Sequence, residues 1–393
     1  MSGMGIMVTM NLELIEDLNG NHIKMDMFKS LIWTVIPSYY QSSFHTALRG
    51  ADVDLKVCYY EKVHACRIEM GWDAFEELPE GEQYVPKSLE ALDLVSDWRE
   101  RINVIPGYGN KLLRDLVKEL CRRGVKWVHW SEPSHPGLRW WRSYPVKCWY
   151  AKMVNTYALG AFGIGIRALY DFRKWGISAE RVAFLPYATA GGDRYVQPDS
   201  ICETFCRGRK AFVFLGSLIH RKGIDILLRA FAEVATISKD WVLLLVGDDR
   251  SRGVYQRLAK SLGIAEKVCF RGSVSAGFIP SVLKAAQVLV LPSRFDGWGI
   301  VLNEAASMGL ALIGSENAGA SFHLIEPGEN GFIVGAGSVS SLARAMGSYV
   351  RNPELAARHG EHSLKVFEDF TPERNARRFI QAIQSWRAMD SKV

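Results

Sequence analysis

Residues 211–335 alternate between short apolar runs and amphipathic helical patterns, and this alternation constrains the fold more than any other feature of the chain. The apolar runs predict strands at residues 211–216, 241–247, 267–272, 288–293, 311–315 and 331–335. Between them lie apolar residues at helical spacing, as at residues 224–235. Strands that alternate with helices are typical of a parallel sheet. The sequence therefore predicts an α/β domain here.

A second unit of the same kind precedes this one. Strands are predicted at residues 31–36, 54–60, 125–130 and 181–186, and helices at residues 44–49, 89–99 and 112–123. A chain of 393 residues suits two domains of about 150–200 residues each. We expect an N-terminal extension (residues 1–29), an N-terminal domain (30–190), a linker (191–210), a C-terminal domain (211–370) and a final helix (371–393).

Composition excludes several classes of protein. Hydrophobic residues make up 48% of the chain and charged residues 23%, as expected for a protein with a large core. The net charge of +6 is too small to indicate a nucleic-acid binder. No apolar run approaches the roughly 20 residues that span a bilayer, and the first residues lack the pattern of a secretory signal.

Seven scattered cysteines suit reduced thiols, so we expect a cytoplasmic location. Cys202 and Cys206 lack a second ligand pair nearby, so no metal site is expected.

Residues 292–309 carry the strongest indication of function. A buried strand is predicted to lead into a glycine turn containing Asp296 and then into a helix containing Glu304. The loop at residues 216–223, after another predicted strand, contains Arg221 and Lys222. The carboxyl ends of parallel strands meet at one edge of a sheet, where ligands bind, and two cations there can hold a diphosphate. Alone, however, this loop is equally well explained as a solvated basic turn.

A basic, aromatic segment at residues 139–152 interrupts the first domain. One interpretation is a helix pair packed on the core with a solvated basic edge. The other is a peripheral patch on an anionic membrane, with aromatic rings at headgroup depth. A single-stranded nucleic-acid platform is also built from such residues, but the rest of the chain indicates a different function, so we expect no nucleic acid.

The combination of GSLIHRKG (residues 216–223), FRG (270–272) and DGWGIVLNE (296–304) resembles the donor half of family-4 glycosyltransferases of the GT-B fold. The resemblance extends over residues 211–335 and, more weakly, over residues 163–186. It implies two Rossmann-like domains with a cleft between them, and a C-terminal helix that crosses back to the N-terminal domain. It also implies transfer of a hexose from a nucleotide diphosphate sugar with retention of anomeric configuration, with no metal or other cofactor.

The resemblance implies roles for particular residues. Arg221 and Lys222 match the pair that binds the diphosphate, and Glu304 matches the acid that holds the nucleotide ribose. Asp296 stands near the donor sugar, where the family normally has a glutamate, so the carboxylate is kept with a shorter reach. The expected catalytic residues are therefore Asp296, Arg221 and Lys222. The other residues expected at the donor are Gly216, Phe270, Arg271, Gly272, Gly297, Trp298, Gly299 and Ile300.

The family places acceptor binding on the N-terminal domain. Polar candidates near its predicted strand ends are Gln41, His45, His129, Glu132 and His135. The predicted function is transfer to a glycan or lipid-linked glycan, as in polysaccharide or lipopolysaccharide synthesis at the inner face of the cell membrane. Two alternatives remain open: a nucleotide-sugar epimerase of similar fold, and a non-catalytic protein that binds nucleotide sugars.

Overall fold

The computed structural model describes residues 28–64, 68, 77–134, 142–192 and 198–391. Apart from its last two residues, the predicted N-terminal extension (1–29) lies outside the described residues. The chain forms two α/β domains, each built around a parallel sheet. The predicted fold class, two Rossmann-like domains, is confirmed.

The sheet of the N-terminal domain is entirely parallel. Its strands are β1 (Lys29–Thr34), β2 (Asp54–Tyr59), β3 (Glu82–Tyr84), β4 (Ile102–Ile105), β5 (Trp127–Ser131), β6 (Gly160–Gly163) and β7 (Val182–Phe184). They lie in the order β3-β2-β1-β4-β5-β6-β7, so the direction of winding reverses between β1 and β4.

The sheet of the C-terminal domain is also parallel. Its strands are β8 (Lys210–Leu215), β9 (Trp241–Val246), β10 (Val268–Gly272), β11 (Val288–Leu291), β12 (Ala311–Ser315) and β13 (Gly331–Val334). They lie in the order β10-β9-β8-β11-β12-β13, and the winding reverses between β8 and β11. Ligands of open α/β sheets bind outside the carboxyl ends of the strands at such a reversal.

Helices connect the strands and cover the sheets. Those of the N-terminal half are α1 (Tyr39–Gly50), α2 (Lys111–Arg123), α3 (Tyr144–Tyr157) and α4 (Ile166–Trp175). Those that follow are α5 (Ser200–Cys206), α6 (Ile224–Val234), α7 (Val254–Ser261), α8 (Ile279–Lys284), α9 (Val301–Ser307), α10 (Ser321–Leu324), α11 (Val339–Arg351), α12 (Glu354–Phe367) and α13 (Pro372–Asp390).

The helix predicted at residues 89–99 forms only a short 3-10 turn, Leu89–Leu92, followed by turns. The apolar residues Ala91, Leu92, Val95 and Trp98 are buried, as their spacing predicts. Asp93, Ser96 and Asp97 favour turns because their side chains compete for backbone hydrogen bonds. The periodicity thus identified the buried face correctly but not the backbone conformation.

The final helix, α13, packs on the N-terminal domain. The ring of Phe379 stacks on that of Phe162 at 5.2 Å between centroids. Further along, Trp386 Nε1 donates a hydrogen bond of 3.0 Å to the Glu180 carbonyl, and the indole fits against Gly160, where a Cβ would come within 2.4 Å of the ring. Near the end of α13, Asp390 forms an ion pair of 2.6 Å with Lys126. The chain therefore passes between the domains twice, before β8 and again before α13.

Candidate functional site

A cleft of about 560 Å³ lies between the carboxyl edges of the two sheets. Its N-terminal wall is formed by Ser38, Tyr39, Tyr40, Glu132 and Tyr187. Its C-terminal wall is formed by Leu215, Gly216, Ser217, Arg221, Lys222, Val246, Gly247, Asp248, Arg250, Val274, Ala276, Ile279, Asp296, Trp298, Gly299, Ile300, Val301 and Glu304. The cleft thus brings together residues that follow β1, β5, β8 and β11.

Close backbone packing joins the loops after β8 and β11. Gly223 has a φ of +76°, and a Cβ there would lie 2.3 Å from the carbonyl oxygen of Pro292, so this left-handed residue must be glycine. The amide of Arg294 donates a hydrogen bond of 2.8 Å to the Arg221 carbonyl. These contacts place the cations at 221 and 222 beside the turn that carries Asp296.

Lys222 and Asp296 form an ion pair at the centre of the cleft. Lys222 Nζ lies 2.5 Å from Asp296 Oδ2, and both side chains are largely buried. The Arg221 guanidinium lies 4.0 Å from the same carboxylate and donates a hydrogen bond of 2.7 Å to the Phe295 carbonyl. A cation pair fixed by these contacts is ready to meet a polyanionic ligand with little loss of side-chain entropy.

Glu304 lies at the cleft wall with its side chain buried in α9. The residue is 8% exposed, and its neighbours on the helix, Val301 to Ala306, are all buried. Loss of solvent around the carboxyl group raises the pKa of Glu304 to about 8. At pH 7 the group is therefore mainly protonated, so that it can both donate and accept hydrogen bonds from hydroxyl groups.

Glu132 faces this group of residues from the N-terminal domain. Its carboxylate lies against Gly297, where a Cβ would come within 2.0 Å of Glu132 Oε2. The side chain is reached by solvent through the cleft, but protein surrounds it on both sides. Its loss of bulk solvent, together with the nearby Asp296 carboxylate, raises the pKa of Glu132 to about 7, although Arg221 and Lys222 oppose the shift.

The structure does not bring all the donor candidates to the cleft. Arg271 turns away and forms an ion pair of 2.9 Å with the buried Asp199. The carbonyl of Gly272 accepts a hydrogen bond from the Gly247 amide, and Phe270 packs against the core. The residues that reach the cleft at this edge are the next ones along the chain, Val274 and Ala276.

Among the N-terminal candidates, Glu132 alone of those within the described residues lines the cleft. Gln41 bonds to Ser38 and Thr34, and His45 is buried against Glu82 at 3.3 Å. His129 is buried between Tyr150 and Ser131, and burial lowers its pKa to about 3. Both histidines have core partners. The remaining candidate, His135, lies outside the described residues.

Three tyrosines of the N-terminal wall, Tyr39, Tyr40 and Tyr187, were not among the sequence candidates. Tyr39 and Tyr40 directly follow the loop after β1, so their position at a strand end was a usable signal. For Tyr187 the signal was weaker, because only its place after β7 indicated the carboxyl edge of the sheet.

The domains are joined beside the cleft by a contact centred on His323. Its ring lies between those of Phe184 and Trp298, at 4.8 and 5.5 Å between centroids, and accepts a hydrogen bond of 2.9 Å from the Ile166 amide at Nε2. Burial, with a smaller contribution from Arg378, lowers the pKa of His323 to about 4, which keeps this acceptor unprotonated at neutral pH.

A second interdomain contact reaches the Asp296 turn. The Arg167 guanidinium of α4 donates to the Glu316 carbonyl and, at 3.3 Å, to Asn317 Oδ1. The Asn317 carbonyl in turn accepts a hydrogen bond of 2.9 Å from the Asp296 amide. The position of the Asp296 turn is thus tied to the N-terminal domain.

Part of the basic aromatic segment is structural. Lys147 and Tyr150 of α3 are buried, the former bonded to Ser134 Oγ at 3.0 Å. The burial of Tyr150 fits a helix packed on the core, whereas Lys147 belongs neither to a solvated edge nor to a membrane patch. Trp149 and Lys152 are exposed on the same helix, and residues 139–141 lie outside the described residues.

No cluster of three or more metal-ligating side chains occurs in the part of the chain that the structure describes. Within the same residues, every helix is too short or too polar to cross a bilayer.

Comparison with known proteins shows what the chain is similar to. Residues 204–366 match the family model of the group 1 glycosyl transferases. The solved structure of Anabaena HepE in complex with UDP and glucose superposes with a TM-score of 0.69, covering 93% of this chain and 100% of that one at 16% identity. Residues 204–366 are therefore similar to the group 1 glycosyl transferases, and the chain as a whole has the GT-B fold.

Two curated relatives are similar over slightly less than half of this chain. The alpha-D-kanosaminyltransferase of Streptomyces kanamyceticus is 28% identical over 201 residues, which is 49% of this chain and 51% of the relative. The lipopolysaccharide core mannosyltransferase LpcC of Rhizobium leguminosarum bv. viciae is 32% identical over 186 residues, which is 45% of this chain and 51% of the relative. The chain thus spans about half the length of these relatives.

Proposed function

We propose that the protein is a retaining glycosyltransferase that moves a hexose from a nucleotide diphosphate sugar to a hydroxyl of a glycan or lipid-linked glycan. The observation that carries the proposal is the cleft itself, in which Arg221, Lys222, Asp296 and Glu304 meet on a domain similar to the group 1 glycosyl transferases. The named activities of the two relatives, and the UDP and glucose bound to HepE, support the same class of chemistry.

In the proposed reaction, the bond between the sugar C1 and the diphosphate oxygen breaks. A bond from C1 to the acceptor oxygen forms on the same face, and the acceptor proton passes to the departing diphosphate. Arg221 and Lys222 stabilise the negative charge that develops on the leaving group, because fixed cations in a cleft with little water act more strongly than in bulk solvent. Asp296 fixes the Lys222 ammonium and stands beside the donor sugar.

Glu304 binds the hydroxyls of the nucleotide ribose in this proposal. A buried carboxyl group needs polar partners, and two adjacent hydroxyls satisfy both its oxygens. Its raised pKa lets it act as donor and acceptor at pH 7.

The test is release of free nucleotide from a panel of UDP-, GDP- and ADP-sugars, measured by chromatography with and without membrane extract. Lys222→Ala and Glu304→Ala are expected to lose at least about 90% of turnover, since each removes a charged or hydrogen-bonding contact worth about 1.5–3 kcal/mol. The exposed residues Lys239 and Glu361 provide the matched controls Lys239→Ala and Glu361→Ala, which should retain activity. No release from any donor would refute the proposal, and so would full activity in both site variants.

We propose further that the acceptor is presented at a membrane surface. Trp149 and Tyr170 are 45% and 61% exposed on α3 and α4, and Lys152 and Lys174 lie on the same two helices. Exposed aromatic rings beside cations favour the headgroup region of an anionic bilayer.

Vesicle co-sedimentation tests the membrane contact. The protein should sediment with vesicles that contain phosphatidylglycerol and not with pure phosphatidylcholine, and Trp149→Ser should weaken this while Trp241→Phe, in the core, should not. Binding that does not depend on anionic lipid would overturn this part of the proposal and leave the transferase assignment standing.

A further inference from the structure

The N-terminal wall of the cleft is an aromatic surface with one carboxylate. The rings of Tyr39 and Tyr40 meet edge to face at 5.7 Å, and Tyr40 meets Tyr187 in the same way at 5.1 Å. Tyr187 in turn contacts the buried Trp130 at 6.1 Å, which anchors the surface to β5. These contacts fix the rings at the edge of the cleft instead of leaving them free to rotate.

Contacts from the other domain also hold this wall in place. The Tyr187 carbonyl accepts a hydrogen bond of 3.3 Å from Asn303 Nδ2, and Asn303 Oδ1 accepts one of 2.8 Å from the indole of Trp298. Trp298 itself lines the cleft on the donor side. The aromatic wall and the predicted donor turn are therefore linked through Asn303.

The wall has a definite chemical character. Aromatic faces carry partial negative charge and pack well against the C–H groups of a sugar ring, whereas tyrosine hydroxyls and a carboxylate bond to its hydroxyl groups. None of the described residues that line this wall is basic. Glu132 lies against Gly297, next to the Asp296 carboxylate, and the cations Arg221 and Lys222 lie nearby. Once a donor diphosphate occupies these cations, an anion placed here would meet two acids.

We propose that Tyr40, Tyr187 and Glu132 form the acceptor subsite, and that it takes an uncharged sugar ring in preference to a phosphorylated sugar or polyol. This inference rests on the proposed function, since it assumes that the opposite wall holds the donor. A ring stacked on Tyr40 lies across the cleft from Asp296. Glu132 then accepts a hydrogen bond from a hydroxyl of this ring and orients it towards the donor side.

Saturation-transfer NMR on the full chain tests the inference. Each sample contains UDP, GDP or ADP, so that the cation pair is occupied and the signal of the nucleotide itself reports donor-side binding. The uncharged probes are methyl α-D-mannopyranoside and methyl β-D-glucopyranoside, and the charged probes are mannose 6-phosphate and myo-inositol 1-phosphate. Titration gives a Kd for each probe.

At pH 8, where Glu132 is mainly ionised, we expect the uncharged probes to bind at least about ten-fold more tightly than the charged ones, because of the two facing carboxylates. Tyr40→Leu should weaken the uncharged probes by about five-fold, the usual contribution of an aromatic contact, and Tyr40→Phe should retain them. Glu132→Gln should reduce the preference for uncharged probes by removing a negative charge. Tyr157→Leu, on the exposed face of α3, is the matched control and should change nothing.

Three results would overturn the inference and leave the proposed function intact. The first is tighter binding of the phosphorylated probes, and the second is no binding of any probe in the presence of bound nucleotide. The third is probe binding that survives Tyr40→Leu but is lost in Asp296→Asn, because this result would place the probe on the donor side. If no nucleotide binds at all, the proposed function fails and the acceptor subsite fails with it.

Discussion

The buried carboxyl group of Glu304 makes the stability of the protein depend on pH in a direction opposite to that of most carboxylates. An acid whose pKa is raised by folding keeps its proton in the folded state while the unfolded chain loses it. Stability is therefore greatest below the unfolded value, falls as pH rises towards the folded value, and is constant above it. Replacing the group by an uncharged isostere, Glu304→Gln, should abolish this fall.

The magnitude follows from the shift. A rise in the pKa of Glu304 from 4.5 to about 8 corresponds to a loss of stability of up to about 5 kcal/mol between pH 4.5 and pH 8, at about 1.36 kcal/mol per pH unit. This is an upper limit, because water enters a cleft more easily than a closed core once the group ionises. For domains of this size, a loss of even half that amount lowers Tm by roughly 5–10 °C.

Thermal unfolding of the wild type, Glu304→Gln and the exposed control Glu361→Gln at pH 5, 7 and 9 measures the effect. We expect Glu304→Gln to match the wild type at pH 5 and to exceed its Tm by at least about 5 °C at pH 9. The control should follow the wild type throughout. A Gln variant that is less stable than the wild type at pH 9 would show that the carboxylate is ionised and well solvated in the folded protein, and would refute the reasoning.

Three further predictions concern contacts around the cleft. Lys222→Met leaves the Asp296 carboxylate without its partner at 2.5 Å and should lower the free energy of unfolding by about 2 kcal/mol, measured by chemical unfolding. Adding Asp296→Asn should restore most of this loss, and a double variant that is no more stable than Lys222→Met would count against the ion pair. Gly297→Ala places a Cβ within 2.0 Å of Glu132 Oε2 and should lower Tm by about 2–4 °C, with Glu132→Ala in the same chain restoring it; a loss that persists would locate the strain in the backbone. Arg167→Ala removes the hydrogen bonds to the 316–317 segment and should increase the radius of gyration in small-angle scattering. An unchanged value would show that the other interdomain contacts, including that of His323, are enough to hold the domains together.

Much of the fold was accessible from sequence because parallel strands buried on both faces appear as apolar runs. The six strands of the C-terminal sheet fall where these runs predict them. The sequence predicted one shared site for four residues, Arg221, Lys222, Asp296 and Glu304. They follow two predicted strands, and the carboxyl ends of parallel strands lie close together at one edge of a sheet.

What the sequence could not show depends on long-range packing. Strand β6 (Gly160–Gly163) has the sequence GAFG and lacks the branched residues that mark a strand. Its glycines are needed because a Cβ at Gly160 would lie 2.4 Å from the Trp386 ring, and one at Gly163 would lie 2.6 Å from Leu169. A partner more than 200 residues away therefore determines which residues this strand can contain.

The histidine candidates show the same limit. His129 lies within β5, and a polar residue in a strand suggests a position facing solvent. The parallel sheet is covered on both faces, however, so the imidazole is buried and bonded to Tyr150. The strand end before Tyr39 and Tyr40 indicated the edge of the sheet, but that these side chains face a cleft depends on how the two domains are placed, which no local pattern encodes.

The position of α13 has a consequence for dividing the chain. The N-terminal domain is a discontinuous unit, since its core is completed by Phe379, Ile383 and Trp386 from the last helix. A C-terminal fragment that retains α13 would carry this apolar face uncovered, and an N-terminal fragment that ends in the linker would lack its cover. An exchange of C-terminal domains between relatives should therefore use two junctions, near residues 198 and 371, and leave the last helix with the N-terminal domain on which it packs.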